Sequence, residues 1–101
     1  MGEVKIIISP DAESDIREIF DYLSAYSMNA ALTQVDRFLE HFELLQRFPR
    51  MGKMIETLKN DRVREFYIGP YRVAYYIVSD DQIDILSNPS QRKATGGSIK
   101  A

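Results

Sequence analysis

At 101 residues, with 45% apolar and 11% aromatic residues and a net charge of −2, the chain has the make-up of one folded domain, neither a disordered segment nor two domains. No apolar run approaches the ~20 residues of a membrane span and no signal peptide is read, so a soluble cytoplasmic protein with no membrane partner is expected. Cysteine is absent and histidine occurs once, which excludes disulfides and thiol chemistry and leaves no metal or cofactor to expect.

In chain order, "EVKIIIS" (3–9) is apolar and β-branched and predicts a buried strand. Ser9 is placed to cap a helix with Pro10 at its first position and Asp11 and Glu13 in the first turn. Within 10–26, Ala12, Ile16, Ile19, Phe20 and Leu23 fall at helical spacing. A break at "SMN" leads to a second helix over 29–48, where Ala31, Val35, Phe38, Leu39, Phe42 and Leu45 repeat the period. Two such helices with a short joint predict a helical hairpin. Pro49 ends it and Gly52 permits a turn, after which the period moves toward two. A short strand is expected at 54–58, then "KND" as a turn. "RVREFYI" and "YRVAYYIVS" read as strands joined by Gly69-Pro70, "SDD" as a turn and "QIDILSN" as the last strand. The 94–101 tail is expected to be mobile. The order β-α-α-β-β-β-β gives a single α+β domain over 1–101. In it a helical hairpin packs on one face of a mixed, mainly antiparallel sheet.

Charge is uneven along this order. Residues 10–47 hold eight acids and three bases, residues 50–101 nine bases and six acids, so an anionic partner fits the second half better. On "YRVAYYIVS", Tyr71, Val73, Tyr75 and Ile77 point one way and should meet the helices; Arg72, Ala74, Tyr76 and Val78 point to the open face. Arg64 shares a side with Phe66 and Ile68, which puts it at a strand end or on a snorkelling stem. Arg92 and Lys93 follow the last strand. Guanidinium groups beside tyrosines bind phosphate bidentately, stack on bases or clamp an acidic peptide. A plain solvated face with Arg–Asp pairs is the alternative. His41, alone on the second helix, reads as a surface or boundary residue, and Tyr22, Tyr26, Tyr71 and Tyr75 as core and edge packing. No Ser-His-Asp order, phosphate loop or metal-ligand spacing is present.

These segments resemble the RelE/ParE superfamily of toxins from type II toxin–antitoxin systems. The matching stretches are "SPDAESDIREIFDYL", "LLQRFPRMGK", "VREFYIGPYRVAYYI" and "IDIL…R", with Pro49-x-x-Gly52, Arg64 and Tyr71-Arg72-Val73-x-Tyr75 as the local marks. The likeness covers roughly residues 4–93. It implies a growth-inhibiting toxin, of the kind also called plasmid stabilisation proteins, in a hetero-oligomer with a neutralising antitoxin. In the ribosome-dependent RNase branch, Arg72 and Arg92 match arginines that hold mRNA, with Tyr76 and Arg64 as further catalytic candidates. There the chain departs from the pattern. Pro89-Ser90-Gln91-Arg92 stands where many relatives have H-x-x-R, and the tail holds neither tyrosine nor histidine. The ParE-like branch, which binds DNA gyrase, is therefore preferred over the RNase and over a non-toxic interaction module. Arg64, Tyr67, Arg72, Tyr76, Arg92 and Lys93 are the candidate contacts to target or antitoxin.

Overall fold

The computed structural model describes residues 4–86. They form β1 (Lys5–Ile8), α1 (Pro10–Ser24), α2 (Met28–Arg47), β2 (Lys53–Met54), β3 (Val63–Ile68), β4 (Tyr71–Ser79) and β5 (Gln82–Ile85), with one 3₁₀ turn at Glu56–Leu58. Both helices start where a serine side chain takes up an orphan amide. Ser9 Oγ accepts from Ala12 N and Ser27 Oγ from Ala30 N, each at 3.1 Å. The second cap moves the start of α2 to Met28, so Met28 and Asn29 belong to the helix and the joint lies just before it.

The five strands lie in the order β1-β5-β4-β3-β2, with β1 parallel to β5 and every other pair antiparallel. Gly69-Pro70 closes the β3–β4 hairpin as a two-residue loop. Gly69 sits at φ +62, the left-handed value that the first residue of a primed turn requires. The helical hairpin covers one face. Ala12 and Ile19 of α1 and Phe38, Phe42 and Leu45 of α2 meet Tyr71, Val73, Tyr75 and Ile77 of β4 and Ile83 and Ile85 of β5. The side assignment of β4 holds: all four residues expected to face the helices are buried. Gln46 Nε2 ties α2 to β1 through Val4 O at 2.9 Å.

Two elements differ from expectation. Among the described residues β1 is an edge strand, not a buried one: it pairs with β5 alone, and Ile7 and Ile8 remain more than a third exposed. Its apolar run reports the single neighbour and the core contact of Ile6, not enclosure on both sides. The strand expected at 54–58 stops at Met54. In the register set by Lys53↔Glu65 and Met54↔Arg64, Leu58 would face Asn60, leaving one residue to reverse the chain. The 3₁₀ turn and Lys59 at φ 50 make that reversal instead. The last strand ends at Ile85, although Leu86 N still donates to Ala74 O at 2.9 Å; residues 87–88 of the expected strand and the expected mobile tail lie outside the described residues. Among the described residues no helix is long and apolar enough to cross a membrane.

The two isoleucine environments are separable by experiment. Ile83 is fully enclosed, and Ile83→Ala is expected to lower the unfolding free energy by about 3–5 kcal/mol through lost burial and a residual cavity. Ile7→Ala, on the open face of an edge strand, is expected to cost less than about 1 kcal/mol. Urea unfolding of both variants checks the pair; similar losses would contradict the strand order.

Candidate functional site

The two sheet arginines singled out by sequence, Arg64 and Arg72, end in opposite surroundings, and the hairpin register decides which. The pairs Val63↔Tyr76, Glu65↔Ala74 and Tyr67↔Arg72 stand on the open face, and Arg64↔Tyr75, Phe66↔Val73 and Ile68↔Tyr71 on the helix side. Arg72 is thus central on the open face, directly opposite the exposed ring of Tyr67. Its guanidinium is already engaged: Nε donates to Glu65 Oε1 at 2.5 Å, with only 24% and 13% of the two side chains exposed. Glu65 is the diagonal cross-strand neighbour of Arg72, near enough for long side chains to meet. Sequence reading missed this acid. The two-residue Gly69-Pro70 loop held the signal, because it sets which residues face each other across the hairpin.

Tyr76 lies four residues along β4, roughly 13 Å from Arg72 at the usual rise of ~3.3 Å per residue. Its neighbours across the ladders are Val63 and Asp84. Asp84 accepts from Gln82 Nε2 at 2.9 Å. The open face therefore brings Tyr67, Arg72 and Glu65 together and leaves Tyr76 apart beside an acid. Among the described residues Arg72 is the one arginine at a strand position of this face, and it is neutralised in place. Arg92 and Lys93 lie outside the described residues.

Arg64 takes no part in the open face. Its stem runs on the helix side opposite Tyr75, and its head is spent on backbone carbonyls. Nε donates to Asp61 O at 2.9 Å, and Nη1 to Gly52 O at 2.8 Å and Arg50 O at 3.5 Å; the Asp61 carboxylate stands 3.6 Å away. Only 17% of its side chain is exposed. Next to it the Tyr75 hydroxyl donates to Pro49 O at 2.8 Å and accepts from Gly52 N at 2.9 Å. A Cβ at position 52 would come within 2.7 Å of Glu65 O and 2.9 Å of Tyr75 Cε1, so this approach admits only glycine. The Pro49-x-x-Gly52 motif, Arg64 and Tyr75 thus form one lock that closes the loop after α2 onto the sheet. Burial pushes the Tyr75 phenol above its ordinary pKa, while the Gly52 amide and the charges of Arg64 and Arg50 pull the other way.

His41 is half-buried and stacks on Phe66 with ring centres 5.5 Å apart and planes at 17°, its Nδ1 2.9 Å from Arg37 O, which is a packing role. Phe66 in turn meets Tyr75 at 5.8 Å. Tyr71 and Tyr75 are core residues, but Tyr22 and Tyr26 are not: both are mostly exposed and meet edge to face at 5.3 Å. Their mutual hydrogen bond raises the Tyr22 phenol pKa. Among the described residues no group of three or more His, Asp or Glu side chains is placed to hold a metal ion.

Residues 6–93 match the family model described as the ParE toxin of the type II toxin–antitoxin system parDE. No curated protein matches the sequence at a significant level. Among solved structures, a chain described as the chromosomal ParDE toxin–antitoxin system from P. aeruginosa superposes with a TM-score of 0.65 at 22% identity. The match covers 84% of this chain and 92% of that one, and at this identity it establishes a shared fold.

Removing the Tyr75 hydroxyl strands one buried acceptor and one buried donor, so Tyr75→Phe is expected to lower stability by about 2–3 kcal/mol. The raised folded pKa adds a pH signature. Above pH ~10 the unfolded chain releases the Tyr75 proton before the folded one does, so wild-type stability falls as pH rises there. Tyr75→Phe should lack that component of the decline in urea titrations at pH 9 to 11. A double-mutant cycle on Glu65 and Arg72 is expected to give a coupling of about 1–2 kcal/mol. The exposed Glu13–Arg17 pair should give no more than about 0.5 kcal/mol; equal couplings would contradict the half-buried pairing.

Proposed function

The chain belongs to the ParE toxin family of type II toxin–antitoxin systems, and from that premise we propose that it is a cytoplasmic growth inhibitor that acts by binding DNA gyrase and is neutralised by a cognate antitoxin. The observation that carries the choice of binding over RNA cleavage is the Glu65–Arg72 pair at the centre of the open face. Cutting RNA through its 2′-hydroxyl calls for free positive charge at the phosphate and for a group that moves a proton, worth ~10²–10⁴-fold. Arg72 already shares its charge with Glu65, and arginine is a poor base with a pKa above ~12. Tyr67 faces Arg72 but Tyr76 stands apart, beside Asp84. The face suits recognition of a protein surface better than capture of a polyanion.

A protein partner is further supported by the outer side of the helical hairpin. Tyr22, Tyr26, Met28, Leu32 and Leu39 are each at least half exposed. Met28, Leu32 and Leu39, with half-buried Val35 between them, recur at helical spacing beside the acids Asp36, Glu40 and Glu43. An apolar stripe of this kind, rimmed by charge, marks an interaction surface. It fits an amphipathic, basic-flanked segment of an antitoxin.

With purified protein, ATP-dependent supercoiling by gyrase is expected to be blocked, and addition of the antitoxin is expected to restore it. Cells expressing the toxin alone should stop growing with their mRNA uncut. Codon-phased cuts in translated mRNA, seen by primer extension and lost in Arg72→Ala, would replace this reading with a ribosome-dependent RNase. Unchanged growth on expression without any partner would leave only an interaction module.

A further inference from the structure

A second concavity lies away from both surfaces, where α2 gives way to the locked loop. The loop and the end of β4 border an open groove of about 680 Å³ lined by, among others, Arg47, Phe48, Arg50, Met51, Ile77 and Asp80. Its floor is apolar: Ile77 is buried, while Phe48 and Met51 offer 56% and 39% of their surface. Its rim is cationic. Arg47 makes no ion pair among the described residues. Arg50 meets both Asp61 carboxylate oxygens at 3.0 Å through Nη1 alone, which leaves its Nε–Nη2 edge, the bidentate fork, open. Arg62 caps the adjoining β4 carbonyls of Ile77 and Val78, at 3.3 and 2.9 Å, and adds a third positive charge nearby.

We propose that this groove docks an extended acidic segment of the antitoxin, with one apolar side chain on Phe48, Met51 and Ile77 and flanking carboxylates on Arg47 and the open edge of Arg50. The inference rests on the toxin–antitoxin reading above and adds to it a second contact, opposite in charge to the acid-rimmed helical stripe. Three observations select this occupant. The chain's own residues 87–101 contain no aspartate or glutamate, so they do not supply such a ligand. A nucleic-acid strand carries charge on every nucleotide and would bring phosphate against Asp80 as well. A peptide places two carboxylates and leaves the rest of the groove to apolar contact. The groove wall is also preorganised, because Tyr75 and Arg64 hold its loop from behind, and a rigid wall keeps the ordering cost of binding low.

The test is calorimetric titration of the full-length toxin with the antitoxin encoded by the adjoining reading frame, at two salt concentrations. Arg47→Glu with Arg50→Glu is expected to weaken binding at least ~10-fold and to flatten its salt dependence. Arg17→Glu, the like-for-like control for the single Arg47→Glu, makes that charge change on the outer surface of α1 and is expected to stay within ~2-fold. Should loss of the Arg50–Asp61 pair impair folding, Arg47→Glu and Phe48→Ala carry the same test, since neither side chain makes a hydrogen bond or ion pair in the described structure. Groove variants that bind the antitoxin as wild type does would overturn the proposal and leave the toxin–antitoxin reading standing. A single-stranded oligouridine of about 12 nucleotides that binds wild type and is lost in the groove variants would overturn it in favour of RNA. Wild-type toxin that binds no antitoxin at all would overturn the reading itself and this inference with it.

Discussion

The Tyr75 hydroxyl sits between the Pro49 carbonyl and the Gly52 amide, and much of the molecule depends on that position. The chain leaves α2 at Arg47 and must enter the sheet six residues later through a two-residue strand, β2, which by itself offers little pairing. The loop's polar backbone would be exposed to an apolar wall without partners. Tyr75 meets one end of it and Arg64 the carbonyls beyond, so a helix side and a sheet side that share few direct strand bonds become one body. The requirement for glycine at position 52 follows from the same closeness. Residues that look from sequence like functional marks are, in this chain, what holds the loop shut.

That assignment redistributes the positive charge. Of the arginines in the second half, Arg64 is consumed by carbonyls and Arg72 by Glu65. Arg47 at the end of α2 and the Nε–Nη2 edge of Arg50 in the loop after it keep donors to spare outside the sheet. Positive charge is therefore offered at the rim of a rigid groove, while the sheet's open face presents paired charges and tyrosine rings. On that face Arg72 is paired with Glu65, and the exposed lysines Lys5 and Lys53 stand on the outer strands. A protein partner meets two apolar surfaces of opposite rim charge: the helical stripe beside Asp36, Glu40 and Glu43, and the groove beside Arg47 and Arg50.

Much of the fold is legible in the sequence because it is set locally. Ser9 and Ser27 cap their helices through a side chain three residues from its amide, and Gly69 takes the turn that only a left-handed residue makes easily. The strict alternation of β4 assigns its faces correctly. What fails depends on partners distant in the chain. "KIII" reads as a buried strand, yet nothing within it tells that β5 is its one neighbour. Residues 54–58 alternate well enough for a strand, but the register with β3 leaves no room to turn. Tyr22 and Tyr26 look like core and edge packing, yet both rings are mostly exposed and meet each other edge to face. At the candidate site, the orientation of Arg72 was readable and its neutralisation was not, since Glu65 approaches from another strand. Arg92 and Lys93, the remaining candidates, lie beyond the described residues.

The most direct measurement is hydrogen exchange at the Gly52 amide under native conditions. If the Tyr75–Pro49–Gly52 lock is integral to the fold, this amide opens only with global unfolding, and its exchange free energy equals that from urea denaturation, in the range of ~5–15 kcal/mol for a domain of this kind. Exchange through a local fluctuation of a few kcal/mol, as in an ordinary surface loop, would contradict the account: the loop would then be a hinge, and the arginines beside it would be free to serve elsewhere.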